Sequence, residues 1–153
     1  MKNYTTRWFC RKFNACHAGT RFALKYKTMR ECYAALLAGE AGNDSTDWAL
    51  WVATRPGVMS DRDLRLFAVR CARRVQHLMK DERSLKSLDV AERYANGEAS
   101  DDELNAANAA ADAAANAAAS AAAGAASAAA DDAERAEQLK ILAEFGNPFE
   151  VQK

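Results

Sequence analysis

The sequence predicts an all-α protein, and three observations carry that prediction. Between residues 106 and 130, nineteen of 25 residues are alanine, which has the highest intrinsic helix propensity. Capping boxes, in which Ser or Thr precedes Glu by three residues, occur at Thr28–Glu31 and Ser100–Glu103. Apolar residues elsewhere recur at steps of three and four, which is typical of helices and not of strands. We therefore expect one compact multi-helix domain of about six helices.

The first two helices are predicted from apolar spacing and from glycine stops. The first runs roughly from Tyr4 to Ala18 and stops at Gly19, and its apolar set is Trp8, Phe9, Phe13 and Cys16. The second opens at the Thr28 box and ends at Gly39. Its inward residues are Cys32, Tyr33 and Leu36.

The third predicted helix is short, and the fourth is long. A third helix, capped by Asp44, Ser45 or Thr46, carries Trp48, Leu50, Trp51 and Val52 and ends before Pro56-Gly57. A fourth opens at Ser60 with Asp63 and runs to about Lys80. One face of it gathers Leu64, Phe67, Ala68, Cys71, Val75, Leu78 and Met79, while Leu66 and Val69 lie opposite. We expect this helix to be covered on two sides and to lie at the centre of the domain.

The last two helices differ in composition. Ser84 is expected to cap a fifth helix, which carries Leu85, Leu88, Val90, Ala91 and Tyr94 and stops at Gly97. The Ser100 box opens an alanine-rich segment that Gly146-Asn147-Pro148 ends. A single helix from Asp101 to Phe145 would be about 67 Å long at 1.5 Å per residue. A break between Gly124 and Ser127 would instead give a helical hairpin, and both alternatives stay open.

The polar residues of the alanine segment predict how it packs. They recur every four residues, at Asn108, Asp112, Asn116, Ser120 and Gly124. Each step of four advances about 40° beyond a full turn, so the polar positions wind around the helix. We expect a helix that contacts several neighbours closely, and association of two copies through this segment is an open alternative.

Charge divides the chain into two parts. Residues 1–93 hold 18 Lys and Arg against 10 Asp and Glu, whereas residues 94–153 hold 3 against 11. We accordingly distinguish a basic helical part over 1–99, an acidic alanine-rich part over 100–145 and a tail over 146–153. Opposite charges favour folding of the acidic part onto the basic part. The same separation of charge would also guide a charged partner onto one surface.

The cysteines and the N-terminus predict a cytoplasmic setting. Met1-Lys2-Asn3-Tyr4 leads straight into charged residues and has no signal-peptide pattern. No apolar run reaches membrane-spanning length. The four cysteines, Cys10, Cys16, Cys32 and Cys71, are then expected to be reduced and structural.

Catalytic and metal sites are disfavoured by spacing. Cys10 and Cys16 lie six residues apart, about 240° around one helix, so they would not face one ion together with His17 and Cys32. A cysteine hydrolase built on Cys16–His17 or Cys71–His77 is a minor alternative. Phosphate-binding loops and serine-nucleophile motifs are missing from the sequence. We expect a protein without a cofactor, a metal or an enzymatic activity.

The best candidate site is the polar side of the fourth helix. Basic residues line it at Arg62, Arg65, Arg70, Arg73, Arg74, His77 and Lys80, and Arg7, Arg11 and Lys12 add to the N-terminal excess. Internal pairing with the acidic part, a protein partner and nucleic acid are the three interpretations. For a protein partner, Trp48 or Trp51 beside Arg70, Arg73 and Arg74 would supply the anchor, with His77 at the same surface.

Several short segments, in order, resemble a known family. They are Asn14-Ala15-Cys16-His17-Ala18, Asp47-Trp48-Ala49-Leu50-Trp51, Leu64-Arg65-Leu66-Phe67-Ala68, Cys71-Ala72-Arg73, Asp81-Glu82-Arg83-Ser84 and the run from Asp89 to Ser100. This order resembles the alanine-rich immunity proteins of bacteria and tailed phages, over about residues 7–145. In that family Trp and Arg often interrupt the alanine tract, whereas Asn, Asp, Ser and Gly do so here.

The resemblance implies an all-helical protein assigned to toxin immunity, and it brings no catalytic residues. We therefore expect a non-catalytic inhibitor or immunity protein that binds a toxin or a host defence effector. A nucleic-acid-binding regulator that uses the basic face of the fourth helix is the alternative. If the Trp and Arg residues of the tract form the partner surface in the family, this chain lacks that surface. Its N-terminal part then becomes the better candidate for binding a partner.

Overall fold

The computed structural model describes residues 4–74, 76–79, 81–119 and 128–150. Within these ranges there are eight α-helices, two 3₁₀ turns at Gly42–Asp44 and Gln76–Leu78, and no strand. The predicted all-α class is therefore confirmed, with more helices than the six expected. The chain groups into two compact units, residues 1–59 with 129–153 and residues 60–128.

The predicted first helix is two helices, α1 (Thr6–Lys12) and α2 (His17–Ala23). Asn14 adopts a left-handed conformation with φ of 53°, and the Ala15 N–H donates to the Cys10 carbonyl. This is a Schellman ending, in which Asn stands where Gly is more usual. The expected stop at Gly19 is wrong, because Gly19 lies inside α2.

Helices α3 (Met29–Leu37) and α4 (Ser45–Ala53) follow their predictions closely. The Thr28 box is present, with the Glu31 N–H donating to Thr28 Oγ1 and Glu31 Oε2 accepting from the Thr28 N–H. Gly39, with φ of 80°, follows the end of α3. Cys32, Tyr33 and Leu36 are buried as expected.

Helix α8 (Ala128–Glu144) and the residues after it complete the first unit. Leu142 is fully buried, and Thr46 Oγ1 donates to the Arg135 carbonyl at 2.9 Å. Beyond Gly146, the Phe149 ring lies 5.9 Å from the rings of both Phe9 and Tyr33. The segment that we expected to be a tail thus supplies an aromatic side chain to the core.

The second unit contains α5 (Asp61–Arg74), α6 (Glu82–Ala95) and α7 (Asp101–Ala119). Helix α6 packs against both α5 and α7. The Ser100 box is confirmed at the start of α7, since the Glu103 N–H donates to Ser100 Oγ and Glu103 Oε2 accepts from the Ser100 N–H. Helices on either side of the predicted boundary at residue 99 therefore pack within one unit.

Two predicted bounds in this unit are wrong. Residues Gln76–Leu78 form a 3₁₀ turn where a continuous helix to Lys80 was expected, a common way to satisfy the last carbonyls of a helix. The N-cap of α6 is Asp81, whose Oδ1 accepts from the Arg83 N–H at 2.9 Å. Asp and Ser cap equally well, and the chain takes the earlier of the two, which places Ser84 inside the helix.

The predicted inward face of the fourth helix is only partly buried. On α5, Leu64, Phe67 and Cys71 are half-buried, Ala68 is exposed, and Val69 of the opposite face is the buried residue. Arg65 and Arg73 lie one turn from Val69 and contact α6. Arg62 lies two turns from Val69 and contacts the residue after α6. The largest fully buried side chains, among them Phe9, Met29, Tyr33 and Leu36, belong to the first unit, so α5 is not the centre of the core.

Most of the alanine segment's predicted packing lies outside the described residues. The expected break between Gly124 and Ser127 falls in 120–127, as do Ser120 and Gly124 of the four-residue repeat. At the described end, Ser87 Oγ of α6 donates to Asn108 Oδ1 of α7 at 3.2 Å. This hydrogen bond joins the first position of the repeat to a neighbouring helix.

Candidate functional site

Trp48 and Trp51, two of the predicted partner-binding residues, lie in the first unit on α4. The Trp48 ring lies 5.5 Å from the Phe22 ring, and the Trp51 ring lies 6.2 Å edge-on to Phe9. The Arg55 guanidinium stacks 4.8 Å from the Trp51 centroid, and Arg55 Nε donates to the Trp51 carbonyl. Both indoles are partly exposed and are held by neighbouring aromatic rings.

The two tryptophans line an apolar cavity of about 150 Å³ inside the first unit. Its lining has no charged residue, and its buried wall comes from α1, α2, α3 and α4. The lining residues are Phe9, Cys10, Ala15, Cys16, Gly19, Phe22, Ala23, Met29, Cys32, Leu36, Trp48, Trp51 and Val52.

Gly19 permits a close approach at the partly exposed side of this cavity. A Cβ at this position would lie 3.3 Å from Cys16 Sγ and 3.9 Å from the Trp48 ring. The first of these separations is tighter than an ordinary van der Waals contact. The absence of a side chain at residue 19 therefore leaves room for the Trp48 indole and the Cys16 thiol beside the cavity.

Three of the four cysteines surround the cavity in different environments. Burial raises the pKa of Cys32 to about 12, and the neighbouring Cys10 adds to the shift. Burial also raises the pKa of Cys10. Cys16 is exposed and caps α2, its Sγ accepting from the Gly19 N–H at 3.3 Å. Raised pKa values keep Cys10 and Cys32 in the neutral thiol form, which is poorly nucleophilic.

The described residues contain no cluster of side chains suited to bind a metal ion. Groups of three or more His, Cys, Asp and Glu able to hold an ion do not occur among them. The four cysteines are free thiols.

The predicted arginine surface lies in the second unit, and Arg73 on it is paired with carboxylates of α6. Arg73 forms ion pairs with Asp89 and Glu92 of α6, at 3.1 Å for Glu92, and these hydrogen bonds raise its pKa. Arg70, Arg74 and His77 are exposed. The internal pairing that we considered therefore occurs for Arg73, with acidic residues of α6 rather than of the C-terminal part.

The same stripe of α5 contains two more arginines with partners at the end of α6. Arg62 Nη2 donates to Asn96 Oδ1 at 2.9 Å, and the Arg65 guanidinium stacks 4.8 Å from the Tyr94 ring. Arg62, Arg65, Val69 and Arg73 follow one another at helical spacing, so this stripe of α5 faces its neighbour. From the sequence we expected these arginines to line the exposed polar side of the helix, whereas in the structure they contact α6.

A different surface lies on α1 and at the end of α2. From the sequence we noted its three cations, but not the exposure of Trp8 and Leu24 beside them. Trp8 and Leu24 are the large exposed apolar side chains of the described residues, at 45% and 48% exposure. Arg7, Arg11 and Lys12 are exposed beside them and line shallow grooves shared with Trp8 or Leu24. We call these five residues the Trp8 patch.

Trp8 is fixed in place although it is half exposed. Its indole stacks on the Tyr4 ring with 4.6 Å between centroids and an interplanar angle of 3°, and Phe13 meets it edge-on at 6.4 Å. From the sequence we grouped Trp8 with Phe9, Phe13 and Cys16 as the apolar set of one helix. The break at Asn14, which separates α1 from α2, is the feature that would have revealed two short helices with an exposed face.

The described helices include none that combines the length and apolarity needed to cross a bilayer.

No protein-family model, no curated protein and no solved structure matches this chain.

Proposed function

We propose that this protein is a non-catalytic binding protein that neutralises a toxin or a host defence effector, as an immunity protein or a phage-encoded inhibitor. The single observation that carries the binding role is the Trp8 patch, in which a fixed, half-exposed indole stands among cations. Tryptophan and arginine are the residues most enriched in binding hot spots. The choice of a toxin or effector as the target rests on the resemblance described above.

The patch fits an acidic partner with an apolar pocket. Arg7, Arg11 and Lys12 form no ion pair with another described residue, so their charge is available to steer a partner. Stacking on Tyr4 leaves Trp8 little rotamer entropy to lose on binding, which favours affinity. We place the function in the cytoplasm, where four free thiols are stable.

The surface of Arg70, Arg73, Arg74 and His77 in the second unit is our second placement for the partner, and the predicted anchors Trp48 and Trp51 belong to the first unit. Arg73 contributes less to it because its charge is paired with two carboxylates. Trp48 and Trp51 are less exposed than Trp8, which is 45% exposed. The paired charge of Arg73 and the lower exposure of the two indoles favour the Trp8 patch over the second surface.

The test is affinity capture of the tagged protein from the lysate of its native cells, at moderate salt and with nuclease, read by mass spectrometry. We expect one stoichiometric protein. Trp8→Ala is expected to weaken its binding at least thirtyfold, the effect of a strong hot spot. Lys12→Glu is expected to slow association, and Lys86→Glu, an exposed residue of α6, is the matched charge control.

Other results would redirect the proposal. Capture that survives Trp8→Ala and Lys12→Glu but fails in Arg70→Glu would move the partner to the second surface. Nucleic acid recovered without nuclease, with no protein captured, would support the regulator alternative, and its affinity would fall steeply with salt. Dimerisation through the alanine tract is tested separately by sedimentation, where a monomer at high concentration would exclude it.

A further inference from the structure

The first unit contains a partly open apolar cavity that the proposed binding role does not use. About 150 Å³ in volume, it lies between α1, α2, α3 and α4. Packed interiors contain few voids larger than a water molecule. A molecule bound in an apolar space of this size would gain dispersion contacts with the lining residues.

The lining restricts the charge of an occupant. All its residues are aromatic, aliphatic or sulfur-containing, apart from Gly19. Moving a charged group into such a site without a partner is strongly unfavourable. The deep wall is dry as well, since Phe9, Met29, Cys32 and Leu36 are at most 2% exposed. An occupant is therefore neutral and has few hydrogen-bonding groups.

The lining also favours an aromatic occupant over an alkyl chain. Four aromatic rings, those of Phe9, Phe22, Trp48 and Trp51, surround the space together with four sulfur atoms, from Met29, Cys10, Cys16 and Cys32. Aromatic rings gain from edge-to-face contacts with other rings, and sulfur makes favourable contacts with ring edges. Apolar cavities of about this volume take up benzene-sized molecules.

We propose that this cavity is a binding site for a small neutral molecule with a single aromatic ring. The molecule enters on the partly exposed side formed by Cys16, Gly19 and Trp48, and its ring lies against Phe9, Met29 and Leu36. This proposal is independent of the partner that binds the Trp8 patch, because the two sites use different side chains apart from the shared lining residues Cys10 and Ala15.

Toluene is the probe, and benzoate, which adds a charge to the same ring, is its control. With isotope-labelled protein, we expect intermolecular NOEs from toluene to the methyl groups of Met29 and Leu36. The methyl groups of Leu24, which are exposed on the same unit, should give none. Toluene should raise the melting temperature because it binds the folded state alone, whereas benzoate should not.

Filling the cavity provides the matched variants. Ala23→Leu adds three carbon atoms at a buried lining residue of α2 and is expected to weaken toluene binding at least tenfold. Ala18→Leu adds the same atoms at an exposed position of the same helix and should change affinity less than twofold. Cys32→Met fills the cavity from α3 and replaces Ala23→Leu if that variant does not fold.

Three results would overturn the proposal. The first is the absence of NOEs to Met29 and Leu36 in the unmodified protein, a measurement that needs no variant to fold. The second is toluene binding at unchanged affinity in the filled variants. The third is benzoate binding as tightly as toluene.

Discussion

At the residue scale, burial and local contacts assign very different roles to side chains of one type. Tyr33 is fully buried, and its hydroxyl forms no hydrogen bond with the described residues. The Tyr26 hydroxyl donates instead to Glu40 Oε2 at 2.7 Å, which raises the pKa of Tyr26 to about 12. A buried polar group without a partner costs about 1–3 kcal/mol, so Tyr33 is a source of instability.

Tyr33→Phe is therefore expected to stabilise the protein. Removing the hydroxyl keeps the ring against Phe149 and relieves the unsatisfied group, so the free energy of unfolding should rise by about 1 kcal/mol. Urea denaturation followed by tryptophan fluorescence measures it. Tyr26→Phe, which loses a hydrogen bond, is the control and should not stabilise; a loss of stability in Tyr33→Phe would contradict the prediction.

The thiols should differ in reactivity in the same way. At pH 8, a maleimide is expected to modify exposed Cys16 first and Cys32 at least a hundredfold more slowly. Cys32 is buried, and a pKa of about 12 leaves it about a thousandfold less thiolate than a thiol of pKa 9. Peptide mapping over time by mass spectrometry measures the rates, and equal rates for the two cysteines would refute this assignment.

At the element scale, helix ends follow local chemistry that the sequence only partly discloses. The boxes at Thr28 and Ser100 and the glycine endings at Gly39, Gly97 and Gly146 are present as predicted. Asn14 ends α1 in the left-handed conformation, and Asp81 caps α6 three residues before the Ser84 that we expected. Several residues compete for each cap, and the rest of the fold selects one.

The two candidate caps of α6 can be separated by substitution. Asp81→Ala should lower the melting temperature at pH 7, because Asp81 binds the Arg83 N–H and side chain, whereas Ser84→Ala should change it little. The Arg83 contacts lower the pKa of Asp81 to about 2. Its contribution is therefore complete above pH 3.8 and is lost as the pH falls towards 2.

Thermal unfolding followed by circular dichroism at pH 7, 5 and 2 tests this prediction. The difference between the Asp81→Ala variant and the unmodified protein should shrink between pH 5 and pH 2. If Ser84→Ala lowers the melting temperature more than Asp81→Ala does at pH 7, the N-cap is Ser84, as we expected from the sequence.

At the scale of the whole molecule, the first unit is closed by residues far apart in sequence. Arg135 Nη1 pairs with Asp47 Oδ2 at 2.6 Å, and Asn147 Nδ2 donates to the Arg30 carbonyl at 2.7 Å. Exposed ion pairs contribute little, so the buried Leu142 and the Phe149 ring supply most of the stabilisation on this side. Ile141, Leu142 and Phe149 are thus part of the core to which α1, α3 and α4 contribute.

Leu142→Ala should consequently lower the free energy of unfolding by about 2–5 kcal/mol, the range for a fully buried leucine. Leu24→Ala, at an exposed leucine of the same unit, should change it by less than about 0.5 kcal/mol. Urea denaturation measures both. An effect of Leu142→Ala as small as that of Leu24→Ala would show that residues after 128 do not stabilise the first unit.

The sequence by itself determined the helical class, most helix ends and three of the buried residues of α3, because alanine propensity, capping chemistry and regular spacing act within a few residues. Only the tertiary structure decided that Val69 and the arginines beside it on α5 contact α6, since both faces of this helix carry apolar residues. It also decided that Trp8 is exposed, that Phe149 joins the core and that an apolar cavity lies beside Trp48. Each of these depends on side chains brought together from distant segments, and such long-range contacts leave no periodic pattern in the chain.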